Sequence, residues 1–172
     1  MRQNDHNVSY FDPGSVVWDL ESTNKYEAIR EIIHTAPVFT DHATLDLHGF
    51  SQIVVARERL QSTGFGHGVA VAHGRTDQVD EPTIALGISH RGIEYDAYDG
   101  KPVHLLFIVA NHPDHQMDYL QILSTLVVMV RDELFRQEIL DCSHADAVQV
   151  KLCEVFTHLI EQQRLRAVGR TA

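Results

Sequence analysis

The chain has 172 residues, 44% of them hydrophobic and 22% charged, with a formal charge of −10. That is the length and composition of one globular domain able to bury its own core. The acidic balance argues against nucleic acid or an anionic membrane as the main partner and suits a basic protein, and no apolar run approaches the roughly 20 residues that cross a bilayer.

In chain order, residues 1–14 are polar, end in Pro13-Gly14 and lack the apolar segment of a signal peptide. They read as a loose lead-in, with a cytoplasmic location as the expectation. Val16 to Trp18 begin a short extended segment. Ala28, Ile29, Ile32 and Ile33 then recur at helical spacing, and Asn24 with Glu27 resembles a capping box, so a helix is expected over about 24–35. A second helix, about 42–60, turns Leu47, Phe50, Ile53, Val54 and Leu60 inward and brings Arg57 and Glu58 close before a glycine-rich stretch.

Val69–Ala72 reads as a short buried strand closed by a turn at Gly74. Strands are also expected at Thr83–Ser89 and Val103–Val109, with Ile93–Tyr98 as a candidate edge segment. Tyr119, Leu123, Leu126, Val127 and Val130 mark an amphipathic helix, and Leu134–Leu140 a shorter one. Ser143 is the expected cap of a last helix carrying Val148, Leu152, Val155, Phe156 and Leu159, after which residues 163–172 fray and leave Arg164, Arg166 and Arg170 solvated.

Helices, then strands, then helices predict an α/β three-layer sandwich, a mixed sheet with helices on both faces, as a single domain over 15–162. Strict βαβ alternation is missing, which argues against a Rossmann sheet. Cys142 and Cys153, the two cysteines, have neither redox nor zinc spacing and read as reduced packing residues.

The stretch Ser62–Thr76, STGFGHGVAVAHGRT, holds the chemistry. Gly64, Gly66 and Gly68 precede a strand instead of opening a helix, so they are no dinucleotide fingerprint, and the G-K-[ST] of a Walker loop is absent. Ser62 and Thr63 lack the nucleophile elbow of a hydrolase. Glycines around His73 leave room for a tetrahedral anion to reach its imidazole, and a neutral imidazole is a competent nucleophile near pH 7. Arg57 or Arg75 is placed to balance phosphoryl charge. The competing reading makes His73 a core histidine satisfied by backbone. Twelve histidines also raise a metal protein, but His67 with His73, and His112 with His115, lack the acidic or cysteine partners of a recognisable ligand set.

Glu58, a six-residue gap, Phe65-Gly66, two residues, Val69-Ala70-Val71, one residue and His73-Gly74 resemble the active-site signature of the fructose/mannitol/nitrogen-type enzyme IIA domains of the bacterial phosphotransferase system. Arg57-Glu58 followed by Ser62-Thr63-Gly64 is similar to the same family's run, and looser matches carry the likeness over about residues 16–160. The resemblance implies a phosphoryl-accepting role for His73, with phosphate delivered by HPr or its nitrogen-branch counterpart, and a phosphate-stabilising role for Arg57. It departs from the family at Ala72, where proline is usual, and at Tyr119, where a second histidine is frequent. Tyr119, His67 and Thr63 are therefore secondary candidates around the phosphate. No cofactor or metal is required, because a donor phosphohistidine is already activated. The expectation is a phosphoryl-transfer protein, of the regulatory nitrogen type in preference to sugar uptake, with an unassigned downstream acceptor. A non-catalytic binding module with the same fold is the alternative.

Overall fold

A mixed five-stranded sheet is the spine of the protein, which a computed structural model describes over residues 9–170. Its strands are β1 (Val16–Val17), β2 (Gly64–Gly66), β3 (Val69–Arg75), β4 (Thr83–Ile93) and β5 (Val103–Asn111), lying side by side in the order β1-β4-β5-β3-β2. β1 runs parallel to β4 and β3 parallel to β5, while the β4–β5 and β2–β3 pairs are antiparallel. β5 occupies the centre and is covered on both faces, which is why VHLLFIVA is almost continuously apolar instead of alternating.

Helices α1 (Lys25–Thr35), α2 (Pro37–Thr40) and α3 (Leu47–Leu60) cover one face. There Ile29, Ile32, Ile33, Phe39, Phe50 and Val54 pack on Ala70, Ala72, Ala85, Leu106 and Ile108. Helices α4 (Gln116–Arg131), α5 (Glu133–Leu140) and α6 (Ala145–Gly169) cover the other, packing Ile122, Leu126, Phe135, Leu152 and Phe156 on Val69, Val71, Leu86, Phe107 and Val109. Each fully buried side chain of this kind stabilises the fold by about 1.5–3 kcal/mol relative to exposure. The expected three-layer α/β sandwich is what the sequence forms. Asn24 caps α1 by accepting from the Glu27 N–H at 3.0 Å, and the helix stops before Pro37.

Several boundaries differ from expectation for local reasons. α3 begins at Leu47 and not near residue 42, because the approach to it is tied to Gln78: the Thr44 hydroxyl donates to the Gln78 carbonyl at 2.7 Å, and the Gln78 side-chain oxygen accepts from the Asp46 N–H at 2.8 Å. Its inward rows are Phe50–Val54–Glu58 and Ser51–Val55, so Ile53 and Leu60 are exposed and not buried as expected. β4 runs on to Ile93, after which Glu94 bridges to Asn24 beside α1; Ile93–Tyr98 forms no edge strand. His144, not Ser143, caps α6 by accepting from the Ala147 N–H, and α6 continues to Gly169 through helix-favouring Glu, Gln, Arg and Leu residues where fraying was expected.

The expected lead-in is also partly anchored. Residues 1–8 lie outside the described residues, but Phe11 is fully buried edge-on against Phe107 and Phe156. Tyr10 packs edge-on against Phe156 and accepts a hydrogen bond at 3.1 Å from Arg164, which stays exposed as expected.

Candidate functional site at the end of strand β3

The site lies where β3 and β5 run in parallel toward their C-terminal ends, with His73 opposite Val109 and Arg75 opposite Asn111. Side chains alternate along β3, so Val71, His73 and Arg75 share the face covered by α4, whereas Ala72 and Gly74 face α3. β3 continues through Arg75; the turn expected at Gly74 is absent. Gly74 is there for close approach, since a Cβ on it would meet Val54 Cγ2 at 2.9 Å, Ile53 Cγ2 at 3.0 Å and Phe50 Cε2 at 3.1 Å. The missing side chain lets α3 lie against the strand and brings Arg57, from its last turn, to His73.

The result is a cleft of about 300 Å³ lined by Ile53, Arg57, His73, Gly74, Arg75, Asn111 and Tyr119. Within it the half-buried His73 places Nδ1 3.4 Å from the Val71 carbonyl oxygen. A carbonyl only accepts, so this contact sets the proton on Nδ1 and leaves the lone pair on Nε2. Burial holds the His73 pKa below its usual value, the neighbouring Arg57 and Arg75 cations push the same way, and the Val71 contact and the Glu58 carboxylate oppose them. The ring is therefore neutral and nucleophilic at pH 7. The Tyr119 ring, from the first turn of α4, stands 5.2 Å from the His73 ring, centroid to centroid. Burial raises the Tyr119 pKa, so its phenol remains a neutral hydrogen-bond donor.

Of the five side chains singled out in the sequence, the cleft unites His73, Arg57 and Tyr119 and omits Thr63 and His67. The Thr63 hydroxyl donates to Glu58 at 2.6 Å and lies 3.1 Å from the Tyr95 hydroxyl, and its N–H also bonds Glu58. Glu58 is itself buried and ion-paired with Lys25 at 3.5 Å. Thr63 is thus spent on joining the end of α3 to β2, and no hydroxyl is left over for phosphate. His67 occupies the β2–β3 hairpin with φ +58°, its N–H donating to Asp99. It precedes β3, whose four-residue advance from Val69 to His73 alone covers about 13 Å, so it cannot stand in for a missing partner of His73.

Arg75, offered in the sequence as an alternative to Arg57, borders the same cleft as an exposed residue, and Ile53 and Asn111 join as wall residues that pattern reading missed. The signal for Asn111 is a buried amide closing an otherwise apolar strand. His112 and His115 stack at 5.2 Å beyond it. Among the described residues no group of three or more His, Cys, Asp or Glu side chains is gathered to hold a metal, and no helix is long and apolar enough to cross a membrane.

A neutral imidazole with one nitrogen free, in a strand-end cleft that two arginines also line, marks an α/β domain with the chemistry to meet an anionic group. Residues 9–153 match the model of the phosphoenolpyruvate-dependent sugar phosphotransferase system EIIA 2 family, and the chain belongs to that family. It is similar to the fructose-specific EIIA component of Haloferax volcanii, 38% identical over 102 residues that cover 59% of this chain and 66% of that one. It is also 32% identical over 131 residues to the fructose-specific EIIABC component of Bacillus subtilis, covering 76% of this chain but only 20% of that protein. The chain thus spans less than two thirds of the length of these two curated relatives. Among solved structures, the nitrogen regulatory protein IIA-Ntr of Neisseria meningitidis superposes with a TM-score of 0.73 at 30% identity, covering 81% of this chain and 93% of that one.

Proposed function

We propose that this protein is a cytoplasmic phosphoryl carrier of the phosphotransferase system, in which His73 Nε2 takes phosphate from a phosphohistidine on an HPr-like carrier. The observation that carries the reading is a neutral His73, its Nε2 left free by the Val71 contact, in a cleft that Arg57 and Arg75 also line. Nε2 attacks phosphorus, the N–P bond of the donor breaks, and the donor imidazole leaves with the electron pair. The proton on His73 Nδ1 stays in place beside the Val71 carbonyl, so no general base is needed. Arg57 and Arg75 offset the charge on the phosphoryl oxygens in flight, and the Tyr119 hydroxyl donates to one of them.

We favour a regulatory destination for the phosphate on the likeness to IIA-Ntr at 30% identity; the fructose-specific relatives, at 32% and 38% identity, support sugar uptake as the second reading. The test is incubation with phosphoenolpyruvate, enzyme I and the cognate carrier. Acid-labile phosphate on the wild type that disappears in His73→Ala supports the reading. No phosphate on the wild type, or equal phosphate on the variant, leaves the same fold acting only as a protein-binding module.

A further inference from the structure

Asn111 is 2% exposed and its carboxamide is only half satisfied. Nδ2 donates to the His112 carbonyl at 3.0 Å and to the His115 carbonyl at 3.4 Å, which determines which way the amide faces. Oδ1 is buried with no partner among the described residues. A buried acceptor left in that state is destabilising, and the great majority of such groups in folded proteins are paired. A donor is therefore missing at this wall of the cleft.

The nearest candidate in register is Arg75. Its Cα is the β3 partner of Asn111 on β5, and the next residue is pinned in place, because the Thr76 N–H donates to the Asn111 carbonyl at 2.9 Å. Both side chains lie on the α4 face and both line the His73 cleft. Yet the Arg75 guanidinium is exposed, borders a second cleft toward Asp46, Asp77 and Gln78, and holds no hydrogen bond or ion pair among the described residues. Arg57 is different: it is half-buried and its Nη1 already donates to the Gln61 carbonyl at 3.1 Å.

We infer that Asn111 is the positioning residue for Arg75: when His73 carries phosphate, the Arg75 guanidinium swings into the cleft, giving one N–H to Asn111 Oδ1 and others to the phosphoryl oxygens. The fork of a guanidinium has five donors and can satisfy an amide oxygen and an anion together. Asn111 lines the same cleft as His73, and an amide oxygen turned toward a phosphoryl group repels it unless a donor is shared between them. In the free protein the swing brings Arg75 toward Arg57 without an anion to separate them, which keeps it outside. The inference rests on phosphorylation of His73.

The experiment follows the Arg75 Nε–H by nitrogen-edited NMR in wild-type protein before and after phosphorylation, with phosphate on His73 verified separately by its loss in acid. Slower exchange of the Arg75 Nε–H in the phosphorylated form, lost again in Asn111→Ala, is the expected result. Phosphorylated protein whose Arg75 exchange is unchanged overturns the inference and leaves the carrier function standing; protein that takes no phosphate overturns both. A transfer-rate cycle gives the second readout. Asn111→Ala lowers kcat/KM for uptake about tenfold when Arg75 is present, as expected for loss of a charge-assisted hydrogen bond, and less than about twofold in an Arg75→Met background. Equal losses in both backgrounds, as a merely structural or water-binding amide would produce, overturn it. The wild-type exchange measurement stands whether or not Asn111→Ala folds.

Discussion

The Tyr119 ring faces the His73 ring at 5.2 Å with the planes inclined by 44°, so the first turn of α4 supplies a phenol where a second imidazole is frequent in the family. With its pKa raised by burial, that phenol donates but never carries positive charge. Tyr119→Phe keeps the ring packing and removes one neutral hydrogen bond, worth about 0.5–1.5 kcal/mol. Uptake of phosphate by His73 is expected to slow about threefold to tenfold in the variant, with the thermal midpoint nearly unchanged. An identical rate in Tyr119→Phe would assign Tyr119 to packing alone.

The pH dependence follows from burial of His73, which holds its folded-state pKa below the ordinary 6.5, helped by Arg57 and Arg75. An unfolded chain then binds the proton more readily than the folded one. The stability associated with neutral His73 is fully present above pH 6.5 and is lost as pH falls below it toward the folded pKa. Wild type is expected to lose stability relative to His73→Gln over that acidic window, in urea titrations at matched pH. The ring resonances of His73 should titrate with a midpoint below 6.5; a midpoint at or above 6.5 contradicts the environment described.

What the sequence makes legible here is order and identity, and what it hides is close approach. Three apolar layers follow from periodicity, and His73 and Arg57 follow from a motif whose residues lie within seventeen positions of one another. Periodicity alone places Ile53 and Leu60 inward, yet α3 turns its 50–54–58 row to the core and leaves Ile53 to wall the cleft. Gly74 looks like a turn because glycine has two uses, and only the packing of α3 reveals which one applies. His67 sits on the same strand face as His73 if the strand is extended backward, but positive φ at Gly66, His67 and Gly68 folds that segment into a hairpin. Asn111 needs the register of β5 against β3 before it can be seen beside Arg75.

Gly74→Ala tests the close approach directly. The added methyl would meet three α3 side chains at 2.9–3.1 Å, so either the helix or the strand must give. Overpacking of this kind costs about 1–3 kcal/mol. The urea midpoint is expected to fall by that amount, and phosphate uptake to drop further than the stability loss explains, because displacement of α3 carries Arg57 away from His73. A variant with wild-type stability and uptake would show that α3 is free to adjust.

Beneath the cleft, Lys25 from α1 reaches across to Glu58 on α3 at 3.5 Å, and Glu58 in turn accepts the Thr63 N–H and hydroxyl. Tyr95 closes the cluster: burial first, and then the Glu58 carboxylate, push its pKa far above the ordinary value, so its hydroxyl stays protonated. Lys25→Met removes the cation that, among the described residues, is paired with a carboxylate that is 1% exposed, and breaking a buried pair from one side typically costs about 3–5 kcal/mol. Glu58→Gln keeps an acceptor for Thr63 and frees Lys25, whose side chain is 13% exposed, to find water. Lys25→Met is therefore expected to destabilise more than Glu58→Gln, and the double variant to recover part of the loss, as read from urea midpoints in a double-mutant cycle. Additive losses would mean that the Lys25–Glu58 pair contributes nothing as a pair, and that the junction of α3 with β2 rests on the Thr63 hydrogen bonds alone.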